Sequence, residues 1–291
     1  MNSSILIVGC GYVGTELGIH LANQGHRVWG ARRSPQGLPD SIEPIALDIT
    51  DPVSLQSLPD VDVLVYAISA DKFDESAYQT AYVDGLNAVL SHYEQRTHPP
   101  RHVFFVSSTA VYSQSEGEIV DEKSPTEPAS FSGMLMLQAE QRLLNSALQG
   151  SVLRLSGIYG PGRERLINQV EEGHVAPPEP EVLTNRIHRN DAAGILAFLI
   201  QRALSGASLA PVYLGTDCDP ASLHEVTQWL AERLNVTPQA TMERSARRRS
   251  NKRCSNALLL SEEYTFQFPD FRAGYEQVLE GRNFPSNKDI F

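Results

Sequence analysis

Cysteine is scarce. Cys10, Cys218 and Cys254 stand far apart among 291 residues, odd in number and with no CxxC spacing. That argues against a disulfide framework and against a cysteine-rich zinc site, so no metal centre is expected and a reducing, cytoplasmic setting is. Positive charge is also in short supply. The chain has 24 Lys+Arg against 35 Asp+Glu, a formal net charge of −11, and no chain-wide surface for nucleic acid is expected. Long apolar runs are missing too. The run 192–200 falls short of the roughly 20 apolar residues that span a bilayer, and the run 5–8 leads directly into glycines instead of extending as a secretory core would. A soluble protein with no membrane partner is expected. There is no GxSxG, HExxH or paired-carboxylate motif, and no internal repeat, so hydrolase and metal-enzyme readings lack a foothold.

What remains is ordinary in bulk and informative in order. Hydrophobic residues make up 41% and charged residues 20%, with length enough for one large α/β domain or for one domain and a small lobe. Short apolar runs at 5–8, 26–31, 44–48, 61–67, 103–107 and 151–155 read as strands. Helical patterns lie between them at 12–23, 75–95 and 135–148. Strands alternating with helices predict a Rossmann-type doubly wound parallel sheet, here with a smaller C-terminal lobe. The regular order weakens after 160, where Pro161, Pro177, Pro178 and Pro180 mark irregular connections. We therefore expect a dinucleotide-binding unit over 1–160 and a partly interleaved lobe over 161–291, with a helix at 191–204 and a strand at 211–216 returning to the sheet. A further helix is expected at 223–234, and residues 244–253 read as a loop.

The strongest local signal is Gly9-Cys10-Gly11-Tyr12-Val13-Gly14, a GxGxxG set between a buried strand and a helix. The first glycine serves the tight turn, the second the approach of backbone to a pyrophosphate, and the third close helix–strand packing. Amide groups and the helix dipole then favour the anion. An NAD site usually places an acid about 20 residues on, at the end of the second strand. This chain has Arg32 and Arg33 instead, two forked cations suited to a 2′-phosphate. NADP is the expected coenzyme, with NAD as the alternative.

With these marks the chain resembles the extended or atypical short-chain dehydrogenase/reductases, the NAD(P)-dependent epimerase/dehydratase group. The resemblance rests on GCGYVG, on Asp48-Ile49, on Val106-Ser-Ser-Thr-Ala-Val-Tyr112, on the segment 153–163 with its Ile-Tyr-Gly-Pro-Gly-Arg, and on Asn185-Arg-Ile-His-Arg-Asn-Asp191. It implies that Asp48 and Ile49 border the adenine, and that Ala67, Ile68 and Ser69 pass beneath the coenzyme. Ser107 and Gly157 belong with them, Gly157 at the nicotinamide end. It also implies that Ser108 polarises a substrate oxygen, and that Tyr159, Arg163, Asn185 and His188 shape a substrate pocket. The substrate class so implied is a small sugar- or nucleotide-linked alcohol or carbonyl, such as a nucleotide-sugar, and a homodimer is the family's habit.

One departure is chemical. The family's YxxxK pair aligns with Ser132 and Met136, and a methionine can neither lower a neighbour's pKa nor donate to a ribose. Tyr82, Tyr112, Tyr159 and His188 are the candidate substitutes, although a helix tyrosine is more often packing. The run Arg244 to Arg253 carries six cations in ten positions. A solvated loop is the plainer reading of it, and a lid in which Arg247 clamps a substrate phosphate is the sharper one. Two functions stay open: an NADP-dependent epimerase, dehydratase or reductase, and an NAD(P)H-binding sensor or scaffold without turnover.

Overall fold

The computed structural model describes residues 2–242 and 251–283. Seven strands form one sheet: β1 Ser4–Val8, β2 Arg27–Arg32, β3 Glu43–Ala46, β4 Val63–Tyr66, β5 His102–Ser108, β6 Gly150–Leu155 and β7 Val212–Gly215. Their spatial order is β7-β6-β5-β4-β1-β2-β3, and every pairing is parallel. Strand order therefore reverses beside β1, which is where a doubly wound sheet opens a crevice beyond its carboxyl ends.

Both faces of the sheet are covered, and β1 shows how. Ile5 and Ile7 point to one side with Leu17, Leu21, Ile195 and Leu199. Those four side chains come from α1 Tyr12–Asn23 and the helix Arg189–Leu204. Leu6 and Val8 point to the other side with Leu86, Leu90, Ala139 and Leu143, which belong to α2 Gly85–Glu94 and α3 Phe131–Leu144. We label Arg189–Leu204 α4, followed by α5 Leu223–Arg233 and α6 Phe271–Asn283. A separate apolar cluster, with Ile167, Val226, Leu230, Phe271 and Val278 fully or almost fully buried, centres the smaller lobe.

Three local readings need correction. Residues 75–95 do not form one regular helix, because a π turn, Gln79–Asp84, separates the helical turn Glu75–Tyr78 from α2. The Tyr66 hydroxyl, from the end of β4, donates to Ala81 O at 2.5 Å and occupies the space a Cβ on Gly85 would need. The second correction concerns α3, which spans Phe131–Leu144 and not 135–148: Ser130 caps it by accepting from Gly133 N, and Asn145 ends it. Third, the end of the basic run is a strand. Lys252–Cys254 pairs with Glu118–Val120, with the Lys252 Nζ donating to Tyr112 O and Arg253 Nη1 to Gly117 O. Arg244, Arg247, Arg248 and Arg249 lie outside the described residues.

Candidate active site

A cleft of about 710 Å³ runs across the carboxyl ends of β1, β2, β4, β5 and β6. Its floor is the turn after β1. Gly9 has φ 89°, and a Cβ on it would stand 2.4 Å from Ile68 N, in the loop after β4. A Cβ on Gly14 would lie 2.9 Å from Gly9 O and from the Ile7 side chain. Protein packing therefore accounts for the first and third glycines. It does not account for the second: a Cβ on Gly11 would meet nothing closer than Gly9 O at 3.9 Å. Gly11 lines the cleft and is the N-cap of α1, whose first turn carries no capping side chain and no acid. Amides of a helix's first turn have no intrahelical acceptor, so this end offers bare N–H groups and the positive end of the dipole.

The two arginines after this turn differ. Arg32 donates to Gln36 O at 2.7 Å and to Cys10 O at 3.4 Å, and its buried Nε has no partner. Arg33 makes a two-pronged ion pair with Asp71, at 2.8 and 2.6 Å. Asp48 accepts from Thr50 N and Oγ1 through one oxygen, and those bonds hold its carboxyl below the usual range. With Ile49 it forms the cleft's outer wall, while Ala67, Ile68 and Ser69 form the wall after β4. Tyr12 and Val13 stand beside the glycines. The Tyr12 hydroxyl donates to Pro161 O at 2.9 Å, and the Arg163 guanidinium lies 4.3 Å above its ring. This latch brings Arg163 to the cleft beside the glycine turn.

Beyond β5 the cleft meets a buried polar chain. Ser107 donates to Glu140 at 2.5 Å. Glu140, 1% exposed, receives the Arg154 fork at 2.6–3.2 Å. Arg154 also donates to the Tyr112 hydroxyl at 2.7 Å, and that hydroxyl donates to Asp121 O. Ser108 lines the cleft and accepts from Ala110 N at 3.1 Å. Ser156, after β6, is buried and lines the cleft, and its Oγ has no partner.

Several residues singled out by sequence lie elsewhere. Tyr112 is buried and committed to Arg154 and Asp121, so it is corrected from catalytic candidate to part of the support beneath Ser107. Ser132 is also buried, with its Oγ 3.1 Å from Ser130 Oγ, and it does not line the cleft, whereas Met136 does. Gly157 falls between the lining residues Ser156 and Ile158. Tyr159 packs on His188 and Tyr275, with ring centres 5.3 and 4.6 Å away. His188 is fully buried and accepts from Asn190 N at the start of α4, and burial pushes its pKa down to about 4. Asn185 ties down the Lys252–Cys254 strand through Lys252 O and Cys254 N. Tyr159, His188 and Asn185 are not among the residues that line the cleft. Arg247 lies outside the described residues.

No lysine or histidine lines the cleft among the described residues, and its phenols are Tyr12 and Tyr82. Tyr82 stands on the π turn, and its hydroxyl accepts from Ala70 N at 3.4 Å. Burial raises its pKa. Phe73, Tyr78 and Phe131 close an aromatic wall around it, with ring centres 5.1–5.6 Å apart. Sequence reasoning gave no role to Asp71, Glu140, Arg154 or Ser156, although Arg154 and Ser156 lie in the segment 153–163 that carries the resemblance.

The model of the NAD dependent epimerase/dehydratase family matches residues 5–208. A solved putative NAD-dependent epimerase/dehydratase from Methylobacillus flagellatus is 40% identical, covers 97% of this chain and all of its own, and superposes with TM-score 0.81. Protein YeeZ of Escherichia coli K12 is 29% identical, over 69% of this chain and 74% of that protein. At 20% identity, MoeE5 in complex with UDP-glucuronic acid and NAD shares the fold, with TM-score 0.79 over 97% of this chain and 99% of its own.

Proposed function

The chain belongs to the NAD dependent epimerase/dehydratase family, and from that premise we propose that it is an NADP-preferring oxidoreductase of the epimerase, dehydratase or reductase type, acting on a sugar- or nucleotide-linked alcohol or carbonyl. The observation that carries the coenzyme half is Gly11, a glycine that no protein contact requires, facing a cleft at the switch point of the sheet. Gly9, Gly11, Tyr12, Val13 and Gly14 would hold the diphosphate, and Asp48 with Ile49 the adenine. Arg32 and Arg33 would hold a 2′-phosphate, and these arginines, with no acid at the end of β2, support NADP over NAD. Ala67, Ile68 and Ser69 would lie beneath the coenzyme, and the unpartnered Ser156 hydroxyl gives the nicotinamide end a hydrogen-bonding group. Residues 1–160 would serve the coenzyme and 161–291 the substrate.

When bound, the nicotinamide supplies or accepts the hydride. The chain's own task is to place and polarise. Ser108 would polarise the reacting oxygen, and Ser107 beside it is held by Glu140. Tyr82 is the phenol available to give a proton, since Tyr12 is committed to Pro161 O. A phenol whose pKa is raised stays protonated at neutral pH, so it suits donation to a carbonyl better than abstraction from an alcohol. The nucleotide-sugar class is supported by the shared fold of MoeE5, a fold-level analogy.

A second reading, coenzyme binding without turnover, is favoured by Met136 on the cleft wall and by Ser132 turned to Ser130. The test is nicotinamide absorbance with NADPH and NADP⁺ across a panel of sugar-nucleotides, aldehydes and ketones. Substrate-dependent oxidation of NADPH that is lost in Ser108→Ala and reduced in Tyr82→Phe is the expected result. Tight NADPH binding with no turnover on any member would move the assignment to the sensor.

A further inference from the structure

The cleft mouth is crossed by an ion pair. Arg33 follows β2 and Asp71 follows β4, and β1 with its glycine turn lies between those strands in the sheet. Both side chains line the cleft. The Arg33 fork closes on the Asp71 carboxylate at 2.8 and 2.6 Å, so the pair bridges two walls above the turn. Its charges hold each other: the Asp71 carboxyl is pushed down by the guanidinium and by Lys72, and Arg33 is pushed up by Asp71 and by Asp48. Arg32, by contrast, is bound only to backbone carbonyls.

A carboxylate and a phosphate compete for the same feature of a guanidinium, its parallel pair of N–H donors. Taking up a 2′-phosphate therefore requires Arg33 to exchange Asp71 for the ligand, and it brings a second anion near the Asp71 charge. A ribose with a free 2′-hydroxyl meets neither demand. Resting on the NADP reading above, we propose that Asp71 is a specificity-determining residue: it occupies the Arg33 fork and opposes the 2′-phosphate, which holds the chain's preference for NADP over NAD below what Arg32 and Arg33 would otherwise give. The pair is solvent-exposed, with side-chain exposures of 66% and 60%, and exposed pairs open at small cost. Asp71 accordingly tunes the preference without abolishing it.

The test is calorimetric titration of the full chain, native and as Asp71→Asn, with NADP⁺ and NAD⁺, and with adenosine 2′,5′-bisphosphate and 5′-AMP as fragment probes. Asp71→Asn is expected to tighten NADP⁺ and the bisphosphate by roughly three- to tenfold, the scale of one screened charge and one exposed ion pair, and to leave NAD⁺ and 5′-AMP within about twofold. Adding Arg33→Gln to Asp71→Asn is expected to abolish the gain. Equal shifts for both coenzymes, or NADP⁺ binding indifferent to Asp71, would overturn this inference alone. Failure of every nucleotide to bind the native chain would overturn the coenzyme reading and this inference with it.

Discussion

The two glycines at the start of the turn answer different questions, and substitution separates them. Alanine at Gly9 would force a Cβ to within 2.4 Å of Ile68 N at a positive φ, a backbone clash that is expected to cost about 2–4 kcal/mol of stability. Alanine at Gly11 would meet nothing closer than 3.9 Å and is expected to change stability by less than about 1 kcal/mol. It is nonetheless expected to weaken dinucleotide binding tenfold or more, because its methyl group stands where a diphosphate would reach the main chain. Urea unfolding and coenzyme titration of both variants check the pair, and equal binding by Gly11→Ala and the native chain would contradict it. The three-glycine spacing is legible in the sequence because its chemistry is local. The commitments of single side chains are not: Tyr112 sits in a promising strand-end motif, yet burial beside Arg154 and Asp121 O consumes its hydroxyl.

At the scale of elements, β5, β6 and α3 are joined by one charge pair. Glu140 and Arg154 are 1% and 5% exposed and 2.6 Å apart, and Ser107 hangs from the same carboxylate. Breaking a buried pair leaves an uncompensated charge, which typically costs about 3–5 kcal/mol. Glu140→Gln is thus expected to lower the unfolding free energy by about that amount and to raise KM or lower kcat through the loosened Ser107–Ser108 strand end. Chemical denaturation checks the first effect, and stability within about 1 kcal/mol of native would contradict it. Strands and helices were legible because burial on both faces leaves apolar runs and caps leave small polar residues. The Glu140–Arg154 pair was not, since nothing in a helix and the following strand says which side chains turn inward to meet. The start of α3 was misread for a related reason: the apolar pattern begins at Leu135, whereas the Ser130 cap that starts the helix lies five residues earlier. The π turn sits against a tyrosine from β4, a long-range contact that a scan along the helix cannot see.

Across the whole molecule, β7 returns the chain from the smaller lobe to the sheet, and Asp217 lies just beyond it. Asp217 is 1% exposed, its amide donates to Arg186 O at 2.8 Å, and burial pushes its carboxyl up to about 8. In the unfolded chain this group ionises near pH 4. Between about pH 4 and 8 the unfolded state has therefore lost a proton that the folded state keeps, so stability falls as pH rises and levels off above 8. His188, held down at about 4, acts oppositely: it loses stability as pH falls below about 6.5, equally with or without Asp217. Asp217→Asn is therefore expected to be more stable than the native chain at pH 8, by about 1–3 kcal/mol, with the gain shrinking toward pH 5. Thermal melts across pH check this, and a pH-independent difference would contradict it. The parallel, doubly wound sheet was foreshadowed by alternation and by GCGYVG. How the smaller lobe meets the sheet was not, because it depends on contacts such as Tyr12 with Pro161, which are 149 residues apart.

The most direct measurement is calorimetric titration of the native chain with NADPH, NADP⁺, NADH and NAD⁺ at fixed salt. One site per chain, filled more tightly by the phosphorylated coenzymes, is the expected result. A folded chain that releases or absorbs no binding heat with any of the four, and gives no thermal stabilisation in their presence, would contradict it.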